Sequence, residues 1–311
     1  MTSRKIVFAM STTPFTDDGA LDETGFRRHL RRLRDAGVGV YLGSPGSGEG
    51  YALSEEERRR VFEIGVEELK GRVPVHANPP EPRSAAELIA WMRMAIDVGV
   101  DCVELYALDA GHGMRPRPDE QLAYYEDVLR AIDHPIALSI HRAASSWSPS
   151  SKLIGQLAKS FSQIRAVHVI AAGSETALQV RDAVPDDVAV YTGTATLLQD
   201  LQMGLDGCQA AEGNVCPNLL MGVARDVAAG DMASAGEKMA MILRLYKLSG
   251  RWSPSSARWV KMALRVMDEP GGDVRRPYLM PPASEIEVMR AELDRIGILA
   301  AEAAERARFA A

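Results

Sequence analysis

Residues 39–69 read GVYLGSPGSGEGYALSEEERRRVFEIGVEEL: a short apolar run, a loop dense in glycine and serine, then a helical stretch opened by Ser54. An apolar run this short, bounded by glycine, is a strand buried on both faces. Ser54 before three glutamates is a helix N-cap. The stretch is one β-loop-α unit, and repetition of that unit decides the fold. Working outward, runs of the same kind stand at Ile6–Met10, Gly39–Gly43, Val73–Ala77, Asp101–Tyr106, Pro135–Ile140, Ala166–Ile170, Val188–Thr192 and Gly207–Ala211. Helical segments separate them, among them Glu23–Ala36, Ser54–Leu69, Ala85–Val98 and Asp119–Ile132. Eight such units in a row favour closure, because an open doubly wound sheet usually has fewer strands and a GxGxxG at its first turn, which this chain lacks. Past the eighth run the strand signal stops, and Asp231–Lys247, Ser256–Asp268 and Ala283–Ile296 read as amphipathic helices. The Ala-rich stretch 299–311 predicts a frayed terminal helix. The expected architecture is α/β: a (β/α)8 TIM barrel over residues 1–230 and a C-terminal three-helix extension over 231–311.

Composition narrows the partners. The chain has 311 residues and a net charge of −6, with 36 basic residues interspersed among 42 acidic ones, so no basic face for nucleic acid is expected. Cys102, Cys208 and Cys216 are odd in number and show no CxxC spacing, which argues against a disulfide framework and for a reducing cytoplasm. The opening residues are too brief for a signal-peptide core, and no apolar run approaches the ~18 residues of a membrane span. A soluble cytoplasmic protein with no membrane partner is expected.

In a β/α barrel the chemistry sits where the strands end, at the C-terminal face. There the Gly43–Gly50 loop carries Gly46, Ser47 and Gly48, whose backbone N–H groups and hydroxyl suit a carboxylate or phosphate just before a helix start. The competing reading is a tight loop using glycine for positive φ. Four of six histidines, His76, His112, His141 and His168, fall at or just past strand ends. Asp109, Arg142, Thr192, Gln209, Glu212 and Asn214 stand at comparable positions, so acids, bases and donors are available for a polar small molecule. A metal held by His76, His141, His168 and Glu212 has no HxH or HExxH pair to anchor it, and neither a metal nor another cofactor is expected.

Ser11-Thr12-Thr13-Pro14-Phe15 with Asp18-Gly19, the Gly46-Ser47-Gly48-Glu49 loop with Leu53-Ser54-Glu55-Glu56-Glu57-Arg58, and Arg72-Val73-Pro74-Val75 together resemble the dihydrodipicolinate synthase / N-acetylneuraminate lyase family of pyruvate-type aldolases. Asn214-Val215-Cys216-Pro217 is similar to that family's turn after strand 8, and 260–277 to its C-terminal helical segment. The resemblance implies a barrel with three C-terminal helices and a homo-oligomer, dimer or tetramer. It also implies a lysine at the end of strand 6 that forms a Schiff base with a 2-oxo acid, and a tyrosine at the end of strand 5 that moves protons. Against that pattern this chain has His168 for the lysine and Ser139 for the tyrosine, and it lacks the paired tyrosines after strand 4. None of its seven lysines falls at a strand end.

Imidazole forms no stable protonated imine with a ketone, so class I aldolase chemistry is not expected. Histidine remains a capable acid/base at neutral pH, and His141 shares the parity of Ser139 two residues earlier. The expectation is therefore a divergent lyase acting on a small carboxylate-bearing oxo- or hydroxy-acid by acid/base chemistry. His168, His141 and Ser139 are its expected catalytic groups; Gly46, Ser47, Gly48, His76, Thr192 and Gln209 are expected to bind substrate. The alternatives are a non-catalytic small-molecule binder and a hydrolase using the strand-end histidines.

Overall fold

A computed structural model describes residues 6–109, 114–141, 148–170, 172–252 and 256–310. Eight strands, β1 (Ile6–Met10), β2 (Gly39–Leu42), β3 (Val75–Ala77), β4 (Cys102–Leu105), β5 (Ile136–His141), β6 (Ile164–Ile170), β7 (Ala189–Gly193) and β8 (Gly207–Ala210), close into a barrel in chain order. Neighbouring strands are parallel, and β8 returns to β1 with Phe8 opposite Gln209. The seam needs a glycine: Gly207 has a φ of 141°, and a Cβ there would collide with the Ile6 carbonyl oxygen. Seven crossover helices join successive strands, α1 (Glu23–Ala36), α2 (Glu55–Leu69), α3 (Ala85–Val98), α4 (Pro118–Ala131), α5 (Ser151–Ser160), α6 (Ser174–Ala183) and α7 (Leu197–Gln202), and α8 (Pro217–Ala229) follows β8.

Local sequence explains the boundaries. The Asp22 carboxylate accepts from Gly25 N to start α1, and Gly37 ends it in the left-handed region. Ser54 and Glu57 form a reciprocal capping box on α2. Inside the barrel, Phe8, Tyr41, Cys102, Ala137, Ala166, Ala189 and Tyr191 pack together, small residues below and aromatic rings above. A larger aliphatic layer joins the strands to the surrounding helices.

The three helices expected beyond the barrel are present as α9 (Met232–Ser249), α10 (Ser256–Val266) and α11 (Ala283–Ile296). The terminal helix expected from 299 is present as α12 (Ile298–Ala310), but it is docked on α8 rather than frayed. Its Glu302 is buried, and the carboxylate accepts from Asn218 N at 3.1 Å, Asn218 Nδ2 at 2.7 Å and Leu219 N at 2.9 Å. Those amides belong to the first turn of α8, which has no hydrogen-bonding cap of its own. One turn on, Glu305 is buried against Lys238 at 3.2 Å. Alanine content suggested fraying; two buried carboxylates one turn apart hold the helix down.

Candidate functional site

A cavity of about 570 Å3 opens at the ends of β1, β6, β7 and β8. Thr192, Thr194, Gln209 and Glu212 contribute polar groups from the barrel, while Lys247 on α9 and Trp259 on α10 form part of its roof. Glu212 stands on the single helical turn Glu212–Asn214 and is 3% exposed. Burial pushes its carboxyl above the ordinary range, opposed by the Thr194 hydroxyl, which donates to it at 2.6 Å. Asn214 fixes this turn. Its Oδ1 takes Thr12 N and His29 Nε2, each at 2.9 Å, and its Nδ2 donates to the Met10 and Ala211 carbonyls. Asn214 thus has its hydrogen bonds inside the fold, leaving Glu212 as the acid facing the cavity.

His168 is elsewhere. It is fully buried at the barrel centre, ringed by Tyr41, Tyr191 and Phe8 at centroid distances of 5.0, 5.5 and 6.3 Å. Its Nδ1 is 3.1 Å from a Glu104 oxygen and its Nε2 is 2.9 Å from the Tyr41 hydroxyl, which in turn is 2.8 Å from His76 Nδ1. The partners assign the protons. Nδ1–H of His168 donates to the Glu104 carboxylate, so Nε2 accepts the Tyr41 O–H, and the Tyr41 oxygen accepts Nδ1–H of His76. Asn78 Nδ2 donates to the other Glu104 oxygen and to the Tyr106 hydroxyl at 3.1 Å. Burial lowers His76 to about 3, helped by the neighbouring His168, and raises the Tyr41 phenol well above its usual value. At neutral pH the His76 ring and the Tyr41 hydroxyl are therefore uncharged.

The expected site residues thus divide. Thr192 and Gln209 line the cavity; His76 and His168 meet through Tyr41, a pleat deeper; Ser139 is buried beside His168, its partner in the β5–β6 register. His112 and Arg142 lie outside the described residues, as does the side chain of His141. The Gly46–Gly48 loop is largely closed on itself: Gly48 N donates to Ser44 Oγ, Glu49 N to the Gly46 carbonyl and Gly50 N to the Ser44 carbonyl. Ser47 Oγ is 2.9 Å from Ser256 Oγ, and Ser256 lines the cavity, so the loop props a wall. Its glutamate, Glu49, has a φ of 48° and forms a fully buried ion pair with Lys261. Among the described residues no group of three His, Cys, Asp or Glu side chains is arranged to hold a metal ion.

Sequence reasoning passed over Tyr41, Asn78, Glu104 and Tyr106. A signal existed in Glu104, an acid in the middle of a strand buried on both faces, which must find a partner. No local signal marks Lys247 or Trp259, whose helices fold back over the mouth from beyond the barrel.

The dihydrodipicolinate synthetase family model matches residues 2–295. A "DapA-like lyase" of Rhizobium meliloti, named as uncharacterized, is 28% identical over 294 residues, covering 94% of this chain and 96% of the relative. A 4-hydroxy-tetrahydrodipicolinate synthase of Methanopyrus kandleri is also 28% identical, over 92% of this chain and 94% of its own length. Among solved structures, YagE of E. coli, a member of the dihydrodipicolinic acid synthase family crystallised with pyruvate, superposes with a TM-score of 0.87 at 21% identity, covering 94% of this chain and 99% of that one. The dihydrodipicolinate synthase DapA-2 of Bacillus anthracis gives a TM-score of 0.86 at 23% identity, with the same coverage. At those identities the structures establish the fold alone.

Proposed function

The chain belongs to the dihydrodipicolinate synthetase family, and from that premise we propose that it is a lyase acting on a small carboxylate-bearing oxo- or hydroxy-acid by proton transfer, without a Schiff base at residue 168. One observation carries the reading: His168, which the resemblance sets in the place of the family's lysine, has both ring nitrogens engaged by Glu104 and Tyr41. Such a ring offers no amine for imine formation, yet it can take up a proton beside a carboxylate. The substrate binds in the 570 Å3 cavity. Lys247 draws its carboxylate electrostatically, Thr192 and Gln209 orient its oxygens, and Glu212 acts as the acid or base in direct contact. A carboxyl raised by burial suits that task, since its affinity for the proton lies nearer neutral pH.

His168 then acts through Tyr41 rather than on the substrate. The hydrogen-bonded path runs from His76 Nδ1 through the Tyr41 hydroxyl to His168 Nε2 and from His168 Nδ1 to Glu104. Ser139, buried beside His168, extends the set from β5, and the Gly46–Gly48 loop holds the wall through Ser47 and Ser256. The enclosure of His168 also favours a second reading, a small-molecule binder that has lost the family's chemistry. A reducing cytoplasm and a dimer or tetramer complete the proposal; the three cysteines are free and buried, and light scattering tests the assembly. Among the described residues no helix is long and apolar enough to cross a membrane.

Incubation with pyruvate or another 2-oxo acid followed by borohydride should leave the mass of the intact protein unchanged. A reduced adduct on any lysine would overturn the imine-free mechanism. A thermal-shift screen over 2-oxo and hydroxy acids identifies the ligand, and turnover of the best stabiliser separates the lyase from the binder.

A further inference from the structure

On the flank of the barrel, outside the mouth, α1, the start of α8, the chain after α10 and α12 enclose a second cavity of about 470 Å3. Its floor is apolar, with Met267, Leu299, Ala303 and Ala307, and its charged groups are Arg32, Arg306, Glu269 and Glu302. The two acids already have partners. Glu302 accepts three N–H groups from Asn218 and Leu219, and Glu269 is 3.4 Å from Arg28. The two bases do not. Arg32 donates Nη2 to the Asn214 carbonyl, but its Nε is sealed from solvent with no acceptor, and neither Arg32 nor Arg306 has a carboxylate within ion-pair distance among the described residues. Burial lowers the Arg32 guanidinium below its ordinary value, the mark of a cation short of compensating charge.

A buried guanidinium N–H without an acceptor costs free energy that an oxyanion would recover through a charge-assisted hydrogen bond. With Glu269 balanced by Arg28, the two guanidinium groups and the Glu302 carboxylate leave one net positive charge for an anion. The apolar floor adds the second requirement, a hydrocarbon body of modest size. We propose that this flank cavity binds a small amphiphilic monocarboxylate, its carboxylate on Arg32 and Arg306 and its apolar body over Met267, Leu299, Ala303 and Ala307. The site is separate from the mouth, so it stands or falls independently of the lyase reading.

Calorimetric titration of the full chain with octanoate, octanol and octyl phosphate tests it. Octanoate should bind at one site, octanol at least tenfold more weakly, and the dianionic phosphate more weakly than octanoate. Arg306→Gln should weaken octanoate about tenfold, the equivalent of one charge-assisted bond, and Ala303→Trp should abolish binding by filling the cavity. Both positions are exposed on α12, so the variants fold. Glu212→Gln and Lys247→Ala, at the mouth, should leave octanoate affinity unchanged. Equal affinity for octanol, tighter binding of the phosphate, indifference to both α12 variants, or loss of binding in the mouth variants would each overturn the assignment.

Discussion

Two polar clusters stand within one strand-end of each other, and they differ in how completely their hydrogen bonds are filled. In the interior chain His76, Tyr41, His168 and Glu104 are all buried and satisfy one another. In the mouth, Glu212 has one hydroxyl partner, a carboxyl raised by burial, and open volume beside it. A closed cluster makes structure and can store a proton; a group with spare capacity facing a cavity is the one that meets a ligand. Catalytic potential in this barrel therefore follows unfilled valence more closely than it follows residue type, since His76 and His168 lie on the closed side.

The largest expected effect falls on the open side. Glu212→Gln keeps the shape and an amide oxygen that can accept from the Thr194 hydroxyl but removes the ionisable carboxyl, so turnover of the acid found by thermal shift should fall about 10²–10⁴-fold. The urea unfolding midpoint should barely move. Unchanged turnover would transfer the direct role back to the interior chain.

Next in size is the reverse experiment. Glu104→Ala strands His168, Asn78 and Tyr106 without their shared acceptor, and breaking one side of a buried pair costs about 3–5 kcal/mol. Chemical denaturation should register that loss. A cost under about 1 kcal/mol would mean that the interior chain contributes little to the fold.

Acid comes third. Burial, with Arg32 adding to it, lowers His29 to about 3 and burial lowers His76 to about 3, against 6.5 in the unfolded chain. Between those values the unfolded state binds more protons, so stability rises with pH across the window; it is fully present above 6.5 and is lost as pH falls through it. Each histidine contributes a slope of about 1.4 kcal/mol per pH unit inside the window. Buried Glu212 and Glu302, both raised, oppose this at the acid end. His29→Gln, whose amide can still donate to Asn214, should therefore flatten the pH dependence of the unfolding midpoint between pH 5 and 6.5 relative to the parent. An identical slope in the two proteins would rule out His29 as a source.

The smallest change is expected at the loop. Ser47→Ala removes one neutral hydroxyl contact to Ser256 and should cost about 1 kcal/mol, with a modest loss of ligand affinity. A hundredfold loss would show that Ser47 touches the ligand itself.

Much of the architecture was legible because its signals are local. Caps and glycines bracket α1, α3 and α11 at the residues expected, and the eight strand positions were all found, with ends shifted by one or two residues. Family membership was legible from ordered motifs at Pro14, Glu49 and Asn214. The interior chain was not: Glu104, an acid in a buried strand, signalled only that it needs a partner, and Tyr41 acquires meaning only when the barrel turns it toward His168. The roof escaped for a related reason: Lys247 comes back to the mouth by tertiary folding, and nothing near it in sequence points there. The terminal helix was misjudged because helix propensity says nothing of Glu302's partners eighty-odd residues away.

That partnership has a consequence for the order in which the molecule can be made. The first amides of α8, the helix that follows the last barrel strand, receive their acceptor from Glu302, 83 and 84 residues further along the chain. During synthesis the strands emerge in sequence and can pair as they appear, yet the helix after the last strand waits with its leading end unsatisfied until residue 302 has emerged as well. The strands can therefore pair before the final clasp is fastened, and a chain cut before residue 302 would leave that clasp open.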